Sequence, residues 1–177
     1  MLFSTPVFLF LFLPVVLTTY FLLPGKNLKN CFLMFASLLF YFWGEAFSIY
    51  IMLTYIAINY FFGLSINSSK SKERKKLLLI LALTSNLLLL VIFKYANFIV
   101  DNLNQILHTF NLHTIPLKKI SLPLGISFIT FHCISYLVDT YKQKVAAQKN
   151  PVKFALYISL FPQLIAGPII RYHDIAN

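Results

Sequence analysis

Long apolar stretches alternate with short polar connections along this chain, and the lengths of the stretches predict what solvent they need. Phe3 to Leu23 runs 21 residues without a charge, enough at 1.5 Å per residue to cross about 30 Å of hydrocarbon. It is expected to be the first membrane helix rather than a signal peptide. The first five residues carry no Lys or Arg, and Leu22-Leu23-Pro24-Gly25 offers no small-x-small cleavage site. Cys31 to Trp43 has only 13 residues and ends in the aromatic cluster Phe40-Tyr41-Phe42-Trp43, which suits the headgroup level. It either crosses with a tilt or dips partway. Phe47 to Leu64 follows, interrupted mainly by Asn59, and Leu77 to Phe93 is the most lipid-like run, with Thr84, Ser85 and Asn86 at its middle. Three polar residues there are expected to hydrogen-bond a neighbouring helix rather than a ligand. Ile120 to Val138 and Phe154 to Ile170 complete the set. The pattern predicts an all-α polytopic membrane bundle of about six segments: 3–23, 31–43, 47–64, 77–93, 120–138 and 154–170.

After Phe93 the pattern becomes amphipathic. At 100° per residue, Lys94, Asn97, Asp101, Asn102, Asn104, Gln105 and His108 fall within an arc of about 160°, and apolar residues fill the opposite one. An amphipathic helix over 94–110 is expected, lying along the membrane interface or turning its polar face, Lys94 and Asn97 included, into a wet cavity.

The last two segments are not plain lipid-facing helices. Pro123 and Gly125 should disturb the first turn of the fifth. It then carries His132, Ser135, Tyr136 and Asp139 on one face. His132 and Asp139 stand about 10 Å apart along the axis, a spacing compatible with a ladder through Ser135 or Tyr136. A histidine at membrane depth is a functional candidate, and a purely structural polar seam is the competing reading. The sixth should start at Asn150 as N-cap with Pro151 at the first helical position. Pro162 and Gly167-Pro168 then break it. Carbonyls freed at such breaks cannot be satisfied by lipid, so this stretch should pack inside protein or line a wet recess. Gln163 and Arg171 would face that recess, and a bare re-entrant turn with no ligand is equally open.

Composition confirms the solvent. Of 177 residues 59% are hydrophobic and only 11% charged, against about 25% charged in soluble domains. A water-soluble globule is excluded, because this chain lacks the polar residues to cover a core. The net charge of +10 does not point to nucleic acid, since the cations sit in short runs between apolar stretches. Eleven Lys and Arg fall in the odd-numbered connections (26–29, 70–76, 142–153) and three in the even ones. Positive-inside asymmetry therefore puts the odd connections in the cytoplasm and the N-terminus outside. The run from Lys70 to Lys76 reads as a topology signal before it reads as a docking site. Cys31 and Cys133 have no partner at metal-ligand spacing and are expected to be buried apolar residues, with no metal bound. Ser127 and His132 form the one local nucleophile and base pair, but five positions put them about 140° apart around a helix.

Four stretches together carry a resemblance. Phe3 to Leu23 (FSTPVFLFLFLPVVLTTYFLL), Phe93 to Phe98 (FKYANF), Leu122 to Tyr141 (LPLGISFITFHCISYLVDTY) and Leu160 to Arg171 (LFPQLIAGPIIR) resemble, in order and spacing, the N-terminal part of the membrane-bound O-acyltransferases, in the bacterial alginate O-acetyltransferase-like branch. The resemblance implies a many-helix bundle in the bacterial inner membrane, with a funnel meeting near the bilayer centre. There an acyl group, expected to be acetyl, passes from a donor such as acetyl-CoA or an acyl carrier protein to a hydroxyl of an envelope polysaccharide, with periplasmic acyl-transfer proteins as partners. It further implies about twice as many spans as counted here, so that residues 1–177 are the N-terminal part of the acyltransferase domain, with its general-base histidine beyond Asn177. No catalytic role passes to any histidine of this chain. Lys94, Asn97, His132, Asp139, Gln163 and Arg171 are the candidates to line the funnel, and no bound cofactor is expected. A small transporter or flippase subunit, suggested by the broken sixth segment, and an inactive remnant are the alternative readings.

Overall fold

The computed structural model describes residues 5–44, 46–110, 112–113, 115–116, 122–123, 125–166 and 171–175, and among them all regular structure is helical. A π-helical turn over Phe8–Phe12 leads into α1, Leu13–Leu22. Pro14 explains the widening: it has no N–H to donate and its ring would collide with a carbonyl one turn back. α2 spans Lys26–Gly44, α3 Ser48–Ser68, α4 Lys72–Thr109, α5 Ile126–Tyr141, α6 Pro151–Ser159, α7 Phe161–Ala166 and α8 Tyr172–Ile175.

Among the described residues, only α3 and α4 are both long and apolar enough, by length and composition, to cross a membrane unaided. The second segment is longer than its apolar letters suggest: α2 begins at Lys26, so Lys26 and Lys29 lie within its first turns. The amphipathic stretch 94–110 is not a separate element. α4 runs through it unbroken for 38 residues, about 57 Å at the α-helical rise and far more than the hydrocarbon needs. What changes at Lys94 is polarity, and no Gly or Pro occurs between Lys72 and Ile115 to turn the backbone. Asn104 clasps the chain beyond the helix, giving a hydrogen bond to Ile115 O (3.0 Å) and taking one from Ile115 N (2.7 Å). The fifth helix begins later than expected, at Ile126, because Gly125 adopts φ 71° at its start; residues 120, 121 and 124 lie outside the described ones. The sixth segment divides at Leu160, two residues before Pro162, as two short helices. The second expected break, Gly167-Pro168, also lies outside the described residues.

Two apolar clusters hold the bundle. Met52, Tyr55 and Ile66 of α3 pack with Ala82, with Ile129, Cys133, Tyr136 and Leu137 of α5, and with Phe154 and Ile158 of α6. The second gathers Phe8, Val16, Ala36, Phe40 and Phe161, with the rings of Phe8, Phe12, Phe40 and Phe161 between 5.4 and 6.0 Å apart. Phe161 thus anchors the start of α7 against the α1 and α2 region. Cys133 is fully buried as expected; Cys31 is exposed, on the outer side of α2. α4 turns Leu77, Ile80, Leu81, Leu87, Leu88 and Val91 outward, an apolar face fit for lipid or further protein and not for water.

Two basic connections meet at one end. Asn67 at the end of α3 accepts a hydrogen bond from Ala147 N (3.3 Å), and the Tyr60 hydroxyl donates to Lys149 O (2.7 Å). The chain around Lys70–Lys76 therefore shares a face of the bundle with the chain from Lys142 to Lys149.

Candidate functional site

The polar seam of α5 finds its partners on the broken segment. His132 is 1% exposed. Its Nδ1 lies 2.8 Å from Phe128 O and its Nε2 lies 3.0 Å from the Gln163 amide nitrogen. A carbonyl can only accept, so Nδ1 carries the proton and donates, and Nε2 takes the bond that Gln163 gives. The Tyr157 ring stands edge-on to the imidazole at 5.6 Å. His132 therefore has no lone pair left for a reacting hydroxyl.

Asp139, two turns further along α5, meets α8. Its Oδ2 lies 3.3 Å from His173 Nδ1, and His173 Nε2 lies 2.9 Å from Asp174 Oδ1. The expected ladder from His132 to Asp139 through Ser135 or Tyr136 does not form. Tyr136 Oη instead accepts from Gln148 N (3.2 Å), and each end of the seam is satisfied across helices. Gln148 also donates through Nε2 to the Tyr172 hydroxyl (3.0 Å). Tyr172 packs edge-on against Tyr136 and Tyr157, both at 5.0 Å. Burial pushes its phenol above the ordinary range, and the Gln148 bond offsets part of that rise.

α5 serves as a ruler for the path of the broken segment. α6 descends from Asn150, whose Oδ1 caps it by accepting from Val152 N (2.9 Å) and Lys153 N (3.3 Å). Phe154 packs on Tyr136, Tyr157 on His132, and Gln163 bonds His132. Tyr172 and His173 are then back beside Tyr136, Gln148 and Asp139. The chain enters to the depth of His132 and returns to the end it came from. Nine residues of α6 cover only about 14 Å, roughly half the hydrocarbon thickness.

A second polar centre joins α3, α4 and α5. Asn59 and Asn86 exchange amide hydrogen bonds at 2.9 and 2.7 Å, Tyr55 Oη donates to Asn86 O (3.2 Å), and the Thr130 hydroxyl donates to Tyr55 Oη (3.1 Å). All four residues are fully buried. Asn86 thus bonds a neighbouring helix as expected, whereas Tyr55 and Thr130 gave no sequence signal beyond a helical spacing of Tyr55 and Asn59.

Of the six funnel-lining candidates, the structure pairs His132 with Gln163. It also places Asp139 and Arg171 on the wall of one groove of about 480 Å³, with Lys142 and Lys144. Lys94 is exposed on the C-terminal half of α4, its ammonium 5.5 Å over the ring of Tyr95, and Asn97 is half-buried one turn on. Sequence reading named neither Lys142 and Lys144 as site residues nor Gln148 as the link between loop and α8. No group of His, Cys, Asp and Glu among the described residues could hold a metal ion.

The whole chain aligns with bacterial proteins named as O-acetylases. It is 42% identical to "Probable alginate O-acetylase AlgI" of Pseudomonas aeruginosa and 39% identical to the protein of that name from Azotobacter vinelandii, covering 34% and 36% of those proteins. It is 38% identical to the "Peptidoglycan O-acetyltransferase" of Helicobacter pylori over 98% of this chain and 38% of that one. The resemblance carried by four segments thus extends along the full chain, which spans about a third of the length of the curated relatives it matches. No family model matches, and no solved structure does.

Proposed function

We infer that this chain, as an N-terminal segment of the alginate O-acetylase-like branch of the membrane-bound O-acyltransferases, helps transfer acetyl groups to hydroxyls of a cell-envelope polysaccharide. The observation that carries this reading is the alignment of the entire chain with proteins named for alginate and peptidoglycan O-acetylation. Acyl transfer to a hydroxyl needs a base within about 3 Å of the attacking oxygen and donors for the developing oxyanion. His132, with both ring nitrogens engaged, does not serve as that base. The reacting imidazole comes from outside these 177 residues. This segment contributes helices and a half-depth re-entrant pair, which brings His132 and Gln163 to the wall of the catalytic funnel.

The remaining features follow the same reading. The connections rich in Lys and Arg face the cytoplasm, where acetyl-CoA or an acyl carrier protein presents the donor, and the N-terminus lies outside. The acceptor polysaccharide and periplasmic acyl-transfer proteins meet the opposite side, and the protein resides in the inner membrane.

The test is envelope acetylation in a host whose own O-acetylation has been deleted. The intact protein is expected to restore base-labile acetate on the polysaccharide, and residues 1–177 alone to restore none. Acetate esters formed by residues 1–177 alone would overturn the division of labour. Solute flux through liposomes containing the intact protein and no acyl donor would favour a transporter instead.

A further inference from the structure

We propose that the groove between the end of α5 and the start of α8 is a binding site for an anionic phospholipid of the surrounding leaflet. Three cations, Lys142, Lys144 and Arg171, line it, and all three are exposed. The carboxylate beside them, Asp139, lies within 3.3 Å of His173, so the groove wall has more cation than its own anion answers. A phosphodiester is the complementary group.

The backbone is bent to make this cluster. After α5, Gln143 takes φ 56°, a left-handed conformation that costs a residue with a Cβ and usually falls to Gly or Asn. Lys142 N bonds Val138 O and Lys144 N bonds Asp139 O, at 2.9 and 3.0 Å. This tight helix end holds Lys142 and Lys144, on either side of the strained residue, against one groove. Strain retained in a helix cap next to a charged groove points to a use for the geometry.

The apolar wall identifies the kind of anion. Phe131, Ile134 and Val138 line the same groove. They stand at successive turns of α5, leading from the depth of His132 up to Lys142. Phe131 is 49% exposed. A soluble phosphate would use only the cations, whereas a phospholipid would lay an acyl chain along the three apolar residues and its phosphate on the three cations. The site does not depend on acyl transfer, and its readout is lipid retention.

The experiment places the intact protein in nanodiscs of phosphatidylcholine containing one-fifth phosphatidylglycerol, exchanges it into detergent, and counts retained lipid by mass spectrometry. The wild type is expected to keep about one phosphatidylglycerol. The triple variant Lys142→Gln, Lys144→Gln, Arg171→Gln should bind it on the order of 100-fold more weakly, at roughly fivefold per cation lost. Lys142→Arg with Lys144→Arg should retain it, and Phe131→Gln should weaken it several-fold. Lys70→Gln, Lys72→Gln, Lys75→Gln removes the same charge elsewhere and should change retention less than about twofold. Equal losses in both triple variants, or no loss in either, would overturn the proposal. So would displacement of the lipid by inorganic pyrophosphate beyond what sulfate of equal ionic strength achieves, since the groove would then serve a soluble diphosphate.

Discussion

Gln163 reaches His132 across 31 residues of sequence and a helix break, and the 3.0 Å contact between amide and imidazole fixes how far the re-entrant pair enters the bundle. Gln163→Ala leaves a buried imidazole nitrogen without its donor. The expected loss is about 1–3 kcal/mol of unfolding free energy for the intact protein in detergent. Combined with His132→Phe in a double-mutant cycle, the coupling should be on the order of 1 kcal/mol. Additive losses would mean that the two side chains do not interact.

The Asn59 and Asn86 pair makes a prediction of opposite sign for one change and two. Asn59→Leu alone leaves the Asn86 side-chain oxygen without its donor and should cost about 1–3 kcal/mol. Adding Asn86→Leu removes the stranded group, so the double variant should unfold at a higher temperature than either single one. A double variant weaker than both would show that the bonds these amides also make to Tyr55 O and Ala82 O matter more than the pair.

Gly63 has a spatial role. A Cβ built there would fall on the ring and hydroxyl of Tyr136, so α3 and α5 approach closely only because Gly63 has no side chain. Gly63→Ala should destabilise by about 1–3 kcal/mol, the usual range for overpacking. The companion change Tyr136→Leu should relieve part of it, measured by the same detergent unfolding.

Gln143→Gly should do the reverse. Glycine occupies φ 56° without the Cβ penalty, and the expected gain is up to about 1 kcal/mol, read as a rise in melting temperature. An unchanged or lower melting temperature would mean that the Gln143 side chain contributes more than its backbone costs.

Much of this architecture was legible from the sequence, and the failures share a cause. Apolar length and caps gave α3, the start of α6 at Asn150 and Pro151, and its break near Pro162, because those features are local. Polarity alone suggested a helix boundary at Lys94, but a boundary needs a residue that disrupts the backbone, and 72–115 has none. One-face spacing put His132 and Asp139 on a common ladder, yet hydrogen bonds of that length are made across helices, by Gln163 and His173, where no single-helix pattern can see them. The Lys142 and Lys144 groove was hidden for a similar reason: a non-glycine residue with positive φ gives no warning in the sequence.

The account turns on the half-depth path of α6 and α7, and cysteine labelling from the two sides of the membrane tests it most directly. In the intact protein with Cys31→Ser, single cysteines at Ala146→Cys and Asp174→Cys should both react with an impermeant maleimide from the same side. Leu112→Cys, beyond the C-terminal end of α4, should react only from the other. Labelling of positions 146 and 174 from opposite sides would mean that the segment crosses the bilayer, and would contradict the account.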